Sequence, residues 1–186
     1  MESNLNTVTR RGRFDAGHRV MHERFKCFNI HGHNYDYELT FSYETPEKLG
    51  YAIDFKEIKR VACEWIDERM DHGFFANPVD LVMVEAATQL KSKLYIMHLV
   101  DADGFCNPSA ENICKELFFA VERLLNRGDL RLAKVKLWET PNCVVECIGL
   151  SSSDRIRLYH SALKRDCDEY RNSKGVVEYD DRKVTV

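Results

Sequence analysis

Polar and apolar side chains alternate in two stretches near the N-terminus, and this pattern predicts two β-strands. In residues 9–20, Phe14, Ala16 and His18 share one face of the first predicted strand. In residues 31–41, histidine, tyrosine, leucine and phenylalanine occupy one face and polar residues occupy the other. The two strands are therefore each expected to bury one face.

Apolar residues at three- and four-residue steps predict two helices in the middle of the chain. The first covers residues 54–71, with Asp54 as its N-cap, and the second covers residues 108–129, with Ser109 as its N-cap. Two further strand-like runs follow the second helix. The order strand, strand, helix, helix, strand, strand indicates an α+β protein built on an antiparallel sheet.

Two segments fall outside this simple order. Residues 74–107 contain a predicted short helix and a predicted strand, and they form a mid-chain insertion. Residues after Leu150 are highly charged, and residues 152–171 predict one amphipathic helix with its apolar face at Ile156, Tyr159 and Leu163. We expect a catalytic domain over residues 1–150 and a charged, helical C-terminal extension over residues 151–186.

Composition excludes several classes of protein. The chain has 186 residues and a formal net charge of -3, which argues against a protein whose main partner is nucleic acid. It has no apolar run long enough to span a membrane, and no apolar segment follows its basic N-terminus as in a secretory signal. The seven cysteines form no CxxC pair. We therefore expect a reduced, cytoplasmic protein.

The second predicted strand begins with two histidines one residue apart, His31 and His33. Both face the same side of the strand, and His18 has the same facing on the first strand. Three imidazoles around one point are typical of a zinc site with one open position, although histidines can also be ordinary polar residues of a sheet. Cys27 either completes and closes the ligand set or stands beside the metal as a nucleophile or acid–base group.

Further candidates are acidic residues and one more histidine. Asp71 and His72 can form a carboxylate–imidazole pair, although such pairs are also common at helix ends. Glu139 ends an apolar strand and can bind the paired N–H groups of a guanidinium or an amino-pyrimidinone ring, or simply pair with a basic residue at the surface. Glu111 is a further candidate, although it can also simply be an acidic residue that stabilises the first turn of a helix.

The motifs FDAGHRV, CFNIHGHNY, MDHGF, PSAEN and WET occur in this order over most of the chain. Through them the chain resembles the family of 6-pyruvoyl-tetrahydropterin and 6-carboxy-tetrahydropterin synthases. The resemblance implies the tunnelling fold, a four-stranded antiparallel sheet with two helices on one face. It also implies homo-oligomers, commonly hexamers, with active sites at subunit interfaces.

The resemblance also implies roles for the candidate residues. The implied ligands of Zn²⁺ are His18, His31 and His33. The implied catalytic residues are Cys27, Asp71 and His72. The implied substrate-binding residues are Glu139, which anchors the pterin ring, and Glu111, which lies close to the pterin pocket. The implied substrate is the small molecule 7,8-dihydroneopterin triphosphate, and neither nucleic acid nor membrane is an expected partner.

Three branches of the family differ in the cysteine motif. In the bacterial branch three residues separate the cysteine from HGH, as between Cys27 and His31. That branch forms 6-carboxy-5,6,7,8-tetrahydropterin, acetaldehyde and triphosphate, a step towards queuosine, and we favour it here. The biopterin-forming branch has a longer spacing and yields 6-pyruvoyl-tetrahydropterin. A retro-aldol variant replaces the cysteine with an acidic residue, so Cys27 argues against it.

Two rival hypotheses lie outside this chemistry. A non-catalytic pterin-binding relative would keep the fold but would not need the complete set of Cys27, Asp71, His72 and three histidines. An unrelated metalloprotein of the cupin type would be built from strands and would draw further ligands from Glu139 and His98.

Overall fold

A computed structural model describes residues 6–22, 24, 26–44, 50–128 and 130–176 and contains one six-stranded sheet. The strands are β1 (Asn6–His18), β2 (His31–Tyr43), β3 (Gly73–Ala76), β4 (Leu94–Ile96), β5 (Leu130–Thr140) and β6 (Cys143–Cys147). Their order across the sheet is β4-β3-β1-β2-β5-β6.

Helices cover one face of the sheet and flank its ends. They are α1 (Phe55–Ile58), α2 (Glu64–Arg69), α3 (Leu81–Gln89), α4 (Ala110–Leu125), α5 (Ser152–Tyr159) and α6 (Ala162–Ser173). A π-helical stretch, Lys59–Cys63, joins α1 to α2, so the first predicted helix is continuous. The predicted caps are present: Asp54 and Ser109 each accept a backbone N–H of the first turn. In the described part of the chain, no helix has the length and apolar character needed to cross a bilayer.

The sheet corrects the expectation of four antiparallel strands. Strands β1, β2, β5 and β6 do pair in antiparallel fashion, but β3 and β4 add two parallel strands beside β1. The register pairs Ala16 with Gly73 and Phe74 with Leu94. Strand β3 consists of the four residues GFFA, which are too few and too uniformly apolar to show a period of two.

A single core lies between the sheet and the helices. Phe14, Tyr35 and Leu39 contribute from the strands, and Trp65 and Leu117 contribute from α2 and α4; all five are at most 1% exposed. The predicted inward face of β1 is confirmed, since its buried positions alternate towards the C-terminal end. That core face ends at the histidines.

The C-terminal extension forms two helices where one was expected. The chain turns between α5 and α6, where the Ser161 hydroxyl donates to Leu158 O at 2.7 Å. Ile156 and Tyr159 are 46% and 43% exposed, so they do not form the predicted apolar face with Leu163, which is buried. Side chains of both helices join the main core. The final residues, 177–186, lie outside the described part of the chain.

Candidate metal and catalytic site

His18, His31 and His33 meet at one end of the β1–β2 ladder. His18 lies opposite His31, and His33 lies opposite Ala16. The ring centroids are 4.5 Å apart for His18–His31, 5.3 Å for His18–His33 and 4.9 Å for His31–His33. One ring nitrogen of each lies within 4.8 Å of the others, so these three side chains, which we call the triad, can hold a metal ion.

Backbone carbonyls orient two imidazoles of the triad. His18 Nδ1 donates to Pro108 O and His31 Nδ1 donates to Asn29 O, each at 2.7 Å. Because a carbonyl oxygen only accepts, each Nδ1 carries the proton and each Nε2 presents a lone pair. The two Nε2 atoms are 3.1 Å apart, a distance at which neutral rings in these tautomers repel. A cation between them removes that repulsion, so the donor set fits a metal ion.

Burial favours the neutral, metal-binding form of His18 and His33. Burial lowers the pKa of His18 to about 4; His31 and His33 lower it further, while the hydrogen bond to Pro108 acts in the opposite direction. Burial also lowers the pKa of His33, against a raising effect of Glu139. Metal binding therefore needs no proton release from His18 near neutral pH.

Glu139 faces the triad from β5. Its Oε1 is 3.6 Å from His18 Nε2 and 3.8 Å from His33 Nε2, and a quarter of its side chain is exposed. It lies two residues beyond the buried Leu137 and so points to the same side of β5. The carboxylate can accept hydrogen bonds from a ligand that reaches this end of the sheet.

A cavity of about 480 Å³ opens beside the triad, and its lining joins four segments of the chain. The predicted site residues that line it are His18, Cys27, Glu111 and Glu139. Ser109 and Ala110, at the start of α4, also line it, and the positive end of the helix dipole favours negative charge there. The cavity therefore presents a thiol, two carboxylates and a histidine to one ligand.

Cys27 lies in a short 3-10 turn, Lys26–Phe28, and is half-buried. None of the seven cysteines forms a disulfide. Among the described residues, the donor atoms that cluster within 4.8 Å at the triad come from the three histidines alone. The Cys27 thiol lines the neighbouring cavity and is not part of that cluster.

Asp71 and His72 form the predicted pair. His72 Nδ1 is 2.6 Å from Asp71 Oδ2, and Asp71 Oδ1 accepts the Asp15 backbone N–H at 2.8 Å. The hydrogen bond to Asp71 raises the pKa of His72. Burial acts to raise the pKa of Asp71, but the hydrogen bonds from Asp15 and His72 outweigh it, so that pKa is lowered. His72 also has a φ of 55°, which is uncommon for a residue other than glycine.

The structure does not bring this pair into the cavity of Cys27 within one chain. The pair lies beside Asp15, whose side chain accepts a hydrogen bond from Asn34 and leaves the sheet on the face opposite to His18 and His33. His72 lines a second cavity of about 420 Å³ together with Asp15, Asn34 and the triad residue His33. The side chain of His72 is 76% exposed.

Several features of the site escaped the sequence patterns. The carbonyls of Pro108 and Asn29 are backbone groups, so no side chain in the sequence marks them as partners of the histidines. Tyr35 follows His33 on the same face of β2, is fully buried, and its hydroxyl has no hydrogen-bond partner among the described residues. Burial, with the negative charge of Glu139 and Cys27, raises the pKa of Tyr35. The HxHxY alternation was the signal that could have marked Tyr35 as part of this site.

The cupin-type hypothesis fails on the structure. His98 packs against Tyr95, with ring centroids 5.6 Å apart, and it does not belong to the triad's cluster of donor atoms. The long helix α4 covers the sheet, which an all-strand architecture lacks.

Comparison with known sequences connects the site to pterin chemistry. A sequence profile described as "6-pyruvoyl tetrahydropterin synthase" matches residues 7–149. A relative in Rickettsia felis named 6-carboxy-5,6,7,8-tetrahydropterin synthase is 39% identical over 140 residues, which cover 74% of this chain and 96% of the relative. A relative of the same name in Aquifex aeolicus is 28% identical over 158 residues, covering 75% of this chain and 95% of the relative.

Comparison with solved structures supports the same fold. The 6-pyruvoyl tetrahydropterin synthase of Caenorhabditis elegans matches with a TM-score of 0.58, covering 81% of this chain and 99% of that chain. The identity is 20%, so this likeness concerns the fold alone. The β1–β2 ladder and the helices above it thus belong to a fold already seen in a 6-pyruvoyl tetrahydropterin synthase.

Proposed function

The chain belongs to the 6-pyruvoyl tetrahydropterin synthase family and has its tunnelling fold, and from this premise we propose that it is a 6-carboxy-5,6,7,8-tetrahydropterin synthase. The proposed reaction converts 7,8-dihydroneopterin triphosphate and one water molecule into 6-carboxy-5,6,7,8-tetrahydropterin, acetaldehyde and triphosphate. One observation carries the proposal: the cavity beside the triad gathers His18, Cys27, Glu111 and Glu139 around a single space.

Zinc is the proposed metal, held by His18, His31 and His33. Three neutral imidazoles with one open position are typical of catalytic zinc. The 3.1 Å between the Nε2 atoms of His18 and His31 is close to the roughly 3.3 Å between two nitrogen ligands of a tetrahedral zinc ion. When bound, zinc supplies a Lewis acid that lowers the pKa of oxygen groups on the substrate side chain.

Glu139 is the proposed anchor of the pterin ring. The amino-pyrimidinone edge of a pterin offers two parallel N–H donors, which one carboxylate can accept together. Because Glu139 faces the triad, a ring held there keeps the reacting side chain in the same cavity as Cys27. Glu111, at the start of α4, is the second proposed contact to the substrate.

Cys27 and His72 are the proposed proton carriers. Cys27 lines the same cavity as the start of α4, and as a thiolate it can accept a proton from a carbon of the substrate side chain. His72 exchanges protons through Nε2, because Nδ1 is engaged by Asp71. Asp71 holds the tautomer and raises the basicity of the ring.

We further propose that His72 serves the cavity of a neighbouring subunit in a homo-oligomer, as a hexamer would allow. Two observations support this arrangement. Within one chain the Asp71–His72 pair lies on the sheet face opposite to the triad, and the His72 side chain is largely exposed. A proton carrier needs to approach the reacting atoms to hydrogen-bond distance, which a second subunit can provide.

Product identification tests the proposed function. Purified protein loaded with zinc is incubated with 7,8-dihydroneopterin triphosphate, and acetaldehyde and pterins are measured by chromatography with mass detection. Acetaldehyde with 6-carboxy-5,6,7,8-tetrahydropterin supports the proposal, and chelated protein serves as the control. Recovery of 6-pyruvoyl-tetrahydropterin assigns the chain to the other branch. Stoichiometric zinc without turnover of any dihydropterin identifies a non-catalytic relative.

A further inference from the structure

The loop that carries Cys27, described at residues 19–22, 24 and 26–28, is tied to the mid-chain insertion by a partly buried ion pair. Arg19 Nε donates to Asp80 Oδ2 at 2.5 Å and Arg19 Nη2 donates to Asp80 Oδ1 at 2.6 Å. The Arg19 side chain is 19% exposed, whereas Asp80 is 3% exposed and sits at the N-cap of α3. A bidentate guanidinium–carboxylate pair fixes both the distance and the orientation of its partners.

The far end of the insertion holds the same loop two residues later. Met21 N donates to Asn107 Oδ1 at 2.9 Å, and Asn107 Nδ2 donates back to Met21 O at 2.9 Å. Asn77, which is 1% exposed, donates to Asn107 Oδ1 at 3.2 Å and so orients its amide. Both backbone groups of Met21 are thus engaged by one side chain of the insertion.

These two attachments flank the residue that contacts Cys27. Val20, between Arg19 and Met21, donates its backbone N–H to Cys27 O at 2.8 Å. The Arg19 guanidinium also lies over the ring of Phe28, at 5.4 Å from its centroid. The insertion therefore restrains the chain on both sides of Val20. Because Val20 is hydrogen-bonded to Cys27, and Phe28 is next to Cys27 and in contact with Arg19, the position of Cys27 is restrained as well.

We propose that Asp80 and Asn107 are positioning residues that hold the Cys27 thiol in the cavity, which makes the insertion a working part of the site. This inference rests on the proposed role of Cys27 as proton carrier. A group that moves a proton must lie within hydrogen-bond reach of its target, and small displacements cost rate without weakening the binding of distant parts of the substrate. Both residues act through the loop and touch neither substrate nor metal in this proposal.

Asp80→Asn and Asn107→Ala test the two attachments separately. Asparagine caps helices as well as aspartate does, so Asp80→Asn removes the charge that pairs with Arg19 while keeping the cap of α3. Each variant is expected to lower kcat about tenfold with KM within twofold of wild type. Asp80→Glu, which keeps the charge, is expected to recover part of kcat.

Alkylation of Cys27 supplies a readout that does not need turnover. The tryptic peptide of residues 27–48 contains Cys27 and no other cysteine, so its labelling by iodoacetamide can be followed by mass spectrometry. A loosened loop exposes the thiol more often, and we expect labelling at least about threefold faster than in wild type. A labelling rate at or below that of wild type overturns the inference.

Asp168→Asn is the matched control. Asp168 forms a bidentate pair with Arg123, at 2.5 and 3.1 Å, between the C-terminal extension and α4. Loss of that pair is expected to leave kcat and Cys27 labelling unchanged, and equal effects in Asp80→Asn and Asp168→Asn contradict a positioning role. If wild type turns over no dihydropterin, the proposed function fails, whereas the labelling comparison still decides whether the insertion positions Cys27.

Discussion

Two histidine-bearing regions lie on opposite faces of the same sheet and differ in how their rings are held. In the triad, His18 is 1% exposed, and its Nδ1 is fixed by a backbone carbonyl. In the Asp71–His72 pair, the imidazole is 76% exposed and its Nδ1 is fixed by a carboxylate. Burial lowers the pKa of His18, whereas the carboxylate raises the pKa of His72.

This contrast shows two uses of one side chain. A neutral ring with a fixed lone pair suits a metal ion, because a proton on Nε2 would compete with the metal. An exposed ring whose pKa is raised by a carboxylate suits proton exchange. After their proposed roles, we call the triad the metal-binding half and the Asp71–His72 pair the proton-transfer half. The pair would need a covering surface before it could act on a bound substrate.

Removal of His18 breaks the metal-binding half and has the largest expected effect. His18→Ala deletes one of the three proposed ligands, a ring that is 1% exposed, so we expect sub-stoichiometric zinc and turnover reduced by about 10³-fold or more. Metal content by mass spectrometry and product formation check this result.

His98→Ala is the control for loss of a buried imidazole. Burial lowers the pKa of His98 to about 4 as well, but this ring packs against Tyr95, away from the triad. Full zinc content is expected in that variant. Full zinc content in His18→Ala would contradict the proposed ligand set.

Removal of either proposed proton carrier, Cys27 beside the triad or His72 on the other face, is expected to leave the metal in place. Cys27→Ala and His72→Ala are each expected to lower turnover by about 10² to 10⁴-fold with zinc content unchanged, since each removes a group that moves a proton. Loss of zinc in Cys27→Ala would make Cys27 a ligand.

Mixing these two variants tests where His72 acts. If Cys27 and His72 of one site come from different subunits, co-refolded Cys27→Ala and His72→Ala chains regain up to about a quarter of wild-type activity. Each variant refolded alone is the control. No recovery in an oligomer that contains both variants would place the pair and the thiol in one subunit.

The metal-binding half is easier to predict from the sequence than the proton-transfer half, for a physical reason. The triad follows from the two-residue period of β1 and β2 and from their pairing, and both are local properties of the sequence. The position of Asp71–His72 depends on the parallel pairing of β3 with β1, which four apolar residues do not reveal. The hydrogen bonds that the carbonyls of Pro108 and Asn29 accept could not be predicted either, because every residue has a backbone carbonyl.

Substitution of Glu139 tests whether a carboxylate beside the triad binds the substrate. Glu139→Gln replaces an acceptor of two hydrogen bonds by one acceptor and one donor, so we expect KM to rise about 10- to 100-fold with zinc content unchanged. Steady-state kinetics and metal analysis give both quantities.

The control for Glu139 is a carboxylate outside the cavity. Glu146→Gln, on β6, alters an exposed ion pair with Lys136 and is expected to leave KM unchanged. A fall in zinc content in Glu139→Gln, with KM near wild type, would instead assign Glu139 to the metal.

Asp71→Asn gives the smallest and most specific effect, a shift in pH dependence. Asp71 raises the pKa of His72 above its ordinary value of 6.5, so the ring stays protonated to higher pH and a base at this position becomes active only above that value. Without the carboxylate the ring becomes neutral at lower pH, and the acidic limb of the kcat profile moves to lower pH. The triad does not share this carboxylate, so zinc content at each pH is expected to be the same in wild type and Asp71→Asn. A limb at the same pH in wild type and Asp71→Asn would show that the titrating group is not His72, and the proton-transfer half would then have to be sought around Cys27 alone.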